Sequence, residues 1–245
     1  MRLFGLIGFP LSHSFSKQYF DLKFEKEQIT NCQFQNFSIS HISEIKNILN
    51  NFPELAGLAV TIPYKKKVIQ FLDEATDEVK KIVACNCIKI DDGKLIGYNT
   101  DIVGFETSLK KKLSPHHQKA LILGSGGAAA AVEYVLNKMH IPSLFVSREV
   151  LGKHKTISYA AINKEILTNY TLIVNTTPVG TFPNVDECPA IPYHLLNNKN
   201  HLFDLIYNPD KTLFLQKGEE QGCIIQNGFD MLTIQAEENW RIWNR

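Results

Sequence analysis

The sequence predicts an α/β protein of two domains, each built around a mainly parallel sheet. Three observations carry this. Short apolar runs alternate with stretches whose apolar residues recur at helical spacing, a βαβα rhythm that begins at Leu3. A glycine-rich turn, Gly124-Ser125-Gly126-Gly127-Ala128-Ala129, joins one such run to one such stretch. The chain is 245 residues long, enough for two modest cores.

In order along the chain, residues 3–7 form a short apolar strand ended by Gly8-Phe9-Pro10, and a helix follows over about 15–27. An alternating run at 34–39 predicts a second strand, 42–50 a helix, and Gly57-Leu58-Ala59-Val60 a third strand before Pro63. Residues 85–90, with Cys85, Asn86 and Cys87 alternating, and 94–98 flank Asp91-Asp92-Gly93, whose composition suits a hairpin turn. Asn99-Thr100-Asp101 opens a helix to about 112, and the passage between domains is placed there. Residues 120–123, 144–146, 172–174, 202–206 and 223–225 are short apolar strands of the second domain. A C-terminal helix over 230–243 carries Leu232, Ala236, Trp240 and Trp243 along one side, a packing stripe.

The glycine turn has the form of a dinucleotide fingerprint. One glycine makes the tight turn, a second lets backbone approach a pyrophosphate, and the small Ala129 permits close helix–strand packing. The helix N-terminus behind it, with unpaired amides and a favourable dipole, suits an anion. The strand at 144–146 ends about 20 residues later, where NAD-binding folds present an acid to the ribose 2′-hydroxyl. Here the tip is Ser147-Arg148, with Lys153 and Lys155 close by in sequence. A guanidinium there suits a 2′-phosphate and a carboxylate would repel it, so the expected cofactor is NADP rather than NAD. A solvated surface arginine is the alternative.

Composition narrows the rest. Lys+Arg of 26 against Asp+Glu of 25 leaves a net charge of +1, which gives no footprint for nucleic acid or an anionic membrane and favours a small-molecule substrate. Five cysteines without a paired C-x-x-C pattern predict a reducing compartment with no disulfide framework and no metal site. The chain has no long uncharged apolar run and its start lacks a signal-peptide shape, so a cytoplasmic location is expected.

Four polar clusters fall at strand ends or helix starts: Ser12-His13-Ser14-Phe15-Ser16, Thr61-Ile62-Pro63-Tyr64-Lys65, Asn86, and Asn99-Thr100-Asp101. With the glycine turn, Asn175-Thr176-Thr177-Pro178-Val179-Gly180, Asp204-Leu205-Ile206-Tyr207-Asn208-Pro209, and Asn227-Gly228-Phe229-Asp230-Met231-Leu232 followed by Gln235, this ordered set resembles the shikimate dehydrogenase family over nearly the whole chain. The resemblance implies reversible, NADP-dependent reduction of 3-dehydroshikimate to shikimate in aromatic amino-acid biosynthesis. It implies a substrate domain of residues 1–101 completed by 227–245, an NADP-binding Rossmann-like domain of residues 102–226, and a cleft between them in a monomer or homodimer.

Residue by residue, the resemblance assigns Lys65 and Asp101 to catalysis. Ser14, Ser16 and Tyr207 go to the substrate carboxylate, and Thr61, Asn86 and Gln235 to its ring hydroxyls. Gly124, Ser125, Gly126, Gly127, Ala128, Ser147, Arg148, Thr176 and Gly228 go to the cofactor, and His13 to a structural role. Elementary chemistry agrees, since hydride reduction of a ketone leaves charge on oxygen that an ammonium stabilises and protonates. Other readings of the same residues are a helix cap for Ser14 and for Asp101, and a solvated face for Lys65-Lys66-Lys67. The chain departs from the family pattern at Lys17 for proline, Ala59 for asparagine, Cys87 for threonine, Ser147 for asparagine and Thr181 for methionine. Two rival functions are a quinate/shikimate dehydrogenase that uses NAD and a dinucleotide-binding regulator without turnover.

Overall fold

A computed structural model describes residues 1–11, 14–148 and 155–245. Ser12, His13 and Lys153, singled out in the sequence, lie outside the described residues. The chain divides into two compact units, Met1–Thr100 with Ala236–Arg245, and Asp101–Gln235. The first division falls just ahead of the helix at 101, and the second falls within the C-terminal helix.

The first unit contains β1 (Arg2–Gly8), α1 (Phe15–Lys26), β2 (Cys32–Ser38), α2 (Ile45–Asn51), β3 (Leu55–Val60), β4 (Glu74–Ala75), α3 (Asp77–Ile82), β5 (Cys87–Asp91) and β6 (Lys94–Tyr98). Its sheet has the order β2-β1-β3-β5-β6-β4. Strand β1 is parallel to β2 and β3, whereas β5 is antiparallel to both β3 and β6. This sheet is therefore mixed, not mainly parallel as expected. The cause is the hairpin: Asp92 and Gly93 both have positive φ, 48° and 79°, as a tight two-residue link between twisted strands requires, and it turns the chain back through the sheet. Cys85 and Asn86 also precede the strand instead of lying in it.

Alternate residues of β1 feed two cores, one on each sheet face. Leu3 and Ile7 join Ile45, Leu58, Val60, Val68 and Val79, while Phe4 and Leu6 join Phe20, Phe34, Ala59, Cys87 and Trp243. The Trp243 ring stacks on Phe4 at 4.9 Å, and its Nε1 donates to the Ile88 carbonyl at 3.0 Å.

The second unit contains α4 (Asp101–Lys110), β7 (Ala120–Leu123), α5 (Gly127–Lys138), β8 (Ser143–Val146), β9 (Thr156–Ile157), α6 (Lys164–Asn169), β10 (Leu172–Asn175), β11 (His201–Asp204), α7 (Leu213–Glu220) and β12 (Ile224–Gln226), followed by α8 (Phe229–Trp243), which ends in the first unit. Its sheet, β12-β11-β10-β7-β8-β9, is parallel throughout. Strands β7, β10 and β11 are buried at every residue, which explains the apolar runs at 120–123, 172–174 and 202–203 within them. Helix α5 turns Ala129, Ala131, Val132, Val135 and Leu136 inward. All five cysteines are free thiols.

Candidate functional site

In the first unit the carboxyl ends of β1, β3 and β6 and the amino end of β5 share one edge of the sheet, because β5 runs backwards between β3 and β6. Backbone bonds hold the loops there in register: Thr61 N–H to Ile7 O at 2.9 Å, Val60 N–H to Asn86 O at 2.8 Å, and Asn86 N–H to Tyr98 O at 3.1 Å. Thr61 and Asn86 are thereby brought to one sheet end. Lys65 joins them, since its carbonyl accepts from Cys85 N–H at 2.8 Å. Buried Tyr64 anchors this loop by donating its phenol to the Ile39 carbonyl at 2.6 Å. Lys65 is half-buried, whereas Lys66 and Lys67 are exposed, so the three lysines are not one solvated face.

Ser14 stands at the N-cap of α1 with extended φ and ψ, but its side chain makes no capping bond. The cap reading is corrected. Its Oγ is buried with no hydrogen-bond partner among the described residues. A buried hydroxyl without a partner costs about 1–3 kcal/mol, a debt an acceptor on a ligand would relieve. Ser16 lies half-buried in the first turn of the same helix, which carries no acidic residue there. Both hydroxyls thus sit where an anion is favoured.

Asp101 is the first residue of α4, buried at 5% exposure, and belongs with half-buried Tyr207 and Gln235 to the second unit. It is a helical residue, not the cap. The Gln235 carboxamide donates to Leu232 O at 3.0 Å within α8.

In the second unit every cofactor candidate follows the carboxyl end of a parallel strand or opens the helix after it, the position at which such sheets take ligands. Gly124 closes β7 at φ +104°, and a Cβ there would meet Thr177 Cγ2 at 2.8 Å and Thr176 Oγ1 at 2.9 Å. Thr176 in turn donates its hydroxyl to Leu123 O at 2.6 Å. Glycine at 124 answers to both strain and space. Gly126, exposed at the N-cap of α5, has no atom within 4 Å of where a Cβ would stand, so backbone is open to a pyrophosphate there. Gly127 and Ala128 form the first turn of α5 and Ser125 is exposed ahead of it, while Ala129 is fully buried. Ser147, fixed by its N–H to Ile157 O at 3.1 Å, and exposed Arg148 follow β8. These residues fit the phosphates of a dinucleotide.

Gly228 has a different reason to be glycine. A Cβ there would lie 2.1 Å from Leu205 O, and its N–H donates to Ile206 O at 2.9 Å.

Sequence reasoning gave Asp204 no role, yet it ties the loops after β10 and β11 together. Its carboxylate accepts from Asn175 Nδ2 at 3.0 Å, Ile206 N–H at 3.1 Å and Thr212 Oγ1 at 2.6 Å. Asn175 Oδ1 meanwhile accepts from Thr177 N–H at 3.0 Å and Oγ1 at 2.7 Å. Burial pushes the Asp204 carboxyl up to about 6 against those three bonds, which hold it down. An acid inside an otherwise apolar run, between Phe203 and Leu205, was the available signal. Among the described residues no group of three His, Cys, Asp or Glu is placed to hold a metal, and no helix is long and apolar enough to cross a membrane.

A parallel sheet with a glycine turn at its first strand and a helix N-terminus behind it defines the doubly wound, nucleotide-binding class. Residues 6–88 match the family model of the shikimate dehydrogenase substrate binding domain. Shikimate dehydrogenase (NADP(+)) of Methanococcus maripaludis is 36% identical over 257 residues, covering 99% of this chain and 91% of the relative. A solved shikimate dehydrogenase in complex with NADP+ superimposes with a TM-score of 0.89 at 30% identity, covering 99% of this chain and 90% of that one. The Thermus thermophilus enzyme, solved with NADP(H) and shikimate, gives 0.86 at 26% identity over 99% and 93%. The chain belongs to the shikimate dehydrogenase family.

Proposed function

We propose that this chain catalyses the NADP-dependent, reversible reduction of 3-dehydroshikimate to shikimate as a cytoplasmic enzyme. The observation that carries this is 36% identity to an NADP-dependent shikimate dehydrogenase across 99% of the chain, supported by Thr61, Lys65 and Asn86 at one end of the first sheet and by the glycine turn after β7 in the second. Residues 1–101 with 227–245 form the substrate domain, and residues 102–226 form the NADP domain. NADPH, when bound, supplies the hydride. The ammonium of Lys65 donates a hydrogen bond to the substrate's carbonyl oxygen and then a proton to the developing alkoxide, so that hydride and proton together make the alcohol. Asp101 orients the lysine and accepts from the hydroxyl. Ser14, Ser16 and Tyr207 hold the substrate carboxylate, while Thr61, Asn86 and Gln235 read its ring hydroxyls. Gly124 through Ala128, with Thr176 and Gly228, shape the pyrophosphate and nicotinamide side, and Ser147 with Arg148 takes the 2′-phosphate.

The test is an absorbance assay for reduced nicotinamide in which shikimate and quinate are crossed with NADP+ and NAD+. The reading expects the highest kcat/KM for shikimate with NADP+. Preference for quinate with NAD+ would overturn the substrate and cofactor assignment, and absence of turnover in all four would indicate a regulator.

A further inference from the structure

Behind the candidate ligand Asn86 lies a run of three buried polar side chains. Asn86, Thr100 and Asn239 are 2%, 1% and 1% exposed. Thr100 N–H donates to Asn86 Oδ1 at 2.6 Å, which decides the amide's orientation because only its oxygen can face a donor. Asn86 Nδ2 then donates to Thr100 Oγ1 at 3.0 Å. The Thr100 hydroxyl has a single proton, and Asn239 Oδ1 takes it at 2.7 Å, against 3.3 Å for the competing path to Asn86 Oδ1. With that proton committed, the lone pairs of Thr100 Oγ1 face Asn86. The plane of the Asn86 carboxamide is fixed, and with it the direction of its second N–H.

We propose that Thr100 and Asn239 are positioning residues for substrate recognition: Asn239, one helical turn beyond Gln235, sets the Thr100 hydroxyl, and Thr100 sets the Asn86 carboxamide to present a donor to a ring hydroxyl. The inference rests on Asn86 being a substrate ligand. A buried polar trio gains little stability over well-packed apolar residues of the same volume, but it holds one amide in one orientation. Without Asn239 the Thr100 proton turns to Asn86 Oδ1, and without the Thr100 hydroxyl the amide loses the acceptor that Nδ2 has there.

The experiment uses the full chain and shikimate oxidation with NADP+. Asn86→Ala should raise KM for shikimate. Thr100→Val, which keeps shape and removes the hydroxyl, and Asn239→Ala should each raise it roughly five- to tenfold, the factor for one hydrogen bond, with KM for NADP+ unchanged. Thr100→Ser should restore wild-type KM, and Asn86→Ala/Asn239→Ala should be no worse than Asn86→Ala alone. The proposal is overturned if Asn239→Ala has its full effect on the Asn86→Ala background, if Thr100→Val matches wild type, or if Thr100→Ser is as impaired as Thr100→Val. Should Asn239→Ala not fold, the valine and serine pair at 100 still decides. An Asn86→Ala enzyme with unchanged KM would instead remove Asn86 from the substrate site and the positioning role with it.

Discussion

Replacing His201 by glutamine should make the second unit markedly more resistant to acid. His201 opens β11 and is fully buried. Its Nε2 pairs with Gln226 Oε1 at 3.1 Å, and because Gln226 Nε2 donates to Ser108 O at 2.8 Å and Oγ at 2.9 Å, the glutamine oxygen faces the ring and Nε2 carries the proton. Nδ1 is buried with no partner, so a second proton would have no acceptor. Burial chiefly, then His117 with its ring 5.4 Å away and Lys112, push the imidazole down to about 3 from 6.5, against the bond to Gln226. The unfolded chain takes a proton that the folded chain refuses, so this contribution is complete above about pH 6.5 and is lost as pH falls towards 3. At 1.36 kcal/mol per pH unit the loss is about 3 kcal/mol at pH 4.5. Asp204 works in the opposite sense: raised from 3.8 to about 6, it contributes fully below 3.8, loses that contribution as pH rises through 6, and returns about 2 kcal/mol between pH 6 and 4.5. In His201→Gln the contribution of His201 is absent while that of Asp204 is kept. Thermal unfolding by circular dichroism at pH 7 and pH 4.5 should show the wild type falling further than the variant by roughly 6–12 °C. Parallel pH dependences in the two proteins would refute the reasoning.

Lys65→Ala should lower kcat by roughly 10²- to 10⁴-fold while the exposed Lys66→Ala and Lys67→Ala stay near wild type, and equal effects in steady-state assays would remove the acid–base role from Lys65. Arg148→Ala should weaken NADP+ by roughly ten- to a hundredfold in a binding titration and leave NAD+ almost unchanged, whereas an equal loss for both would make Arg148 a fold residue. Ser14→Ala should raise KM for shikimate by about tenfold or more without lowering Tm, since no capping bond is lost; a fall in Tm with unchanged KM would restore the cap reading. Gly93→Ala and Gly124→Ala share the strain of positive φ, about 1–2 kcal/mol, but only the second meets neighbours, so only the second should raise KM for NADP+, and matching kinetics would discount the turn as a cofactor site.

Legibility followed length and period. The strands at 3–7, 120–123 and 172–174, and the helices at 15–27 and the α5 stretch, carried enough apolar repeats to be read directly. The segments β4, β9, α3 and α6 span two to six residues each and show no period, and for α3 and α6 the only sequence signals were the caps Thr76 and Asn163 with acidic residues after them. The strand forecast at 202–206 stops at Asp204 because that carboxylate, held by three donors, ends the ladder and begins a loop although Leu205 and Ile206 are apolar. At the site, residue types were visible and their company was not. The orphaned Ser14 hydroxyl, the Thr100–Asn239 contact across 139 positions and the His201–Gln226 pair all depend on tertiary placement that spacing cannot encode.

That same placement bears on two of the departures from the family pattern. Ala59 stands where asparagine is usual and Cys87 where threonine is usual, one flanking the Thr61 loop and the other flanking Asn86. In the sheet they are direct cross-strand partners, since β3 and β5 pair Ala59 with Cys87. Both are buried and both belong to the core that holds Phe4 and Trp243. In this chain the two residues make one apolar pair on the core face of the sheet. Cys87 and Asn86 are adjacent in sequence, and because side chains alternate across a strand they point to opposite faces. The backbone bonds that bring Thr61, Asn86 and Lys65 to one edge involve Val60, Asn86 and Cys85, and neither exchanged side chain is part of them. The backbone frame that brings Thr61, Asn86 and Lys65 to one sheet end is thus independent of the side chains at 59 and 87.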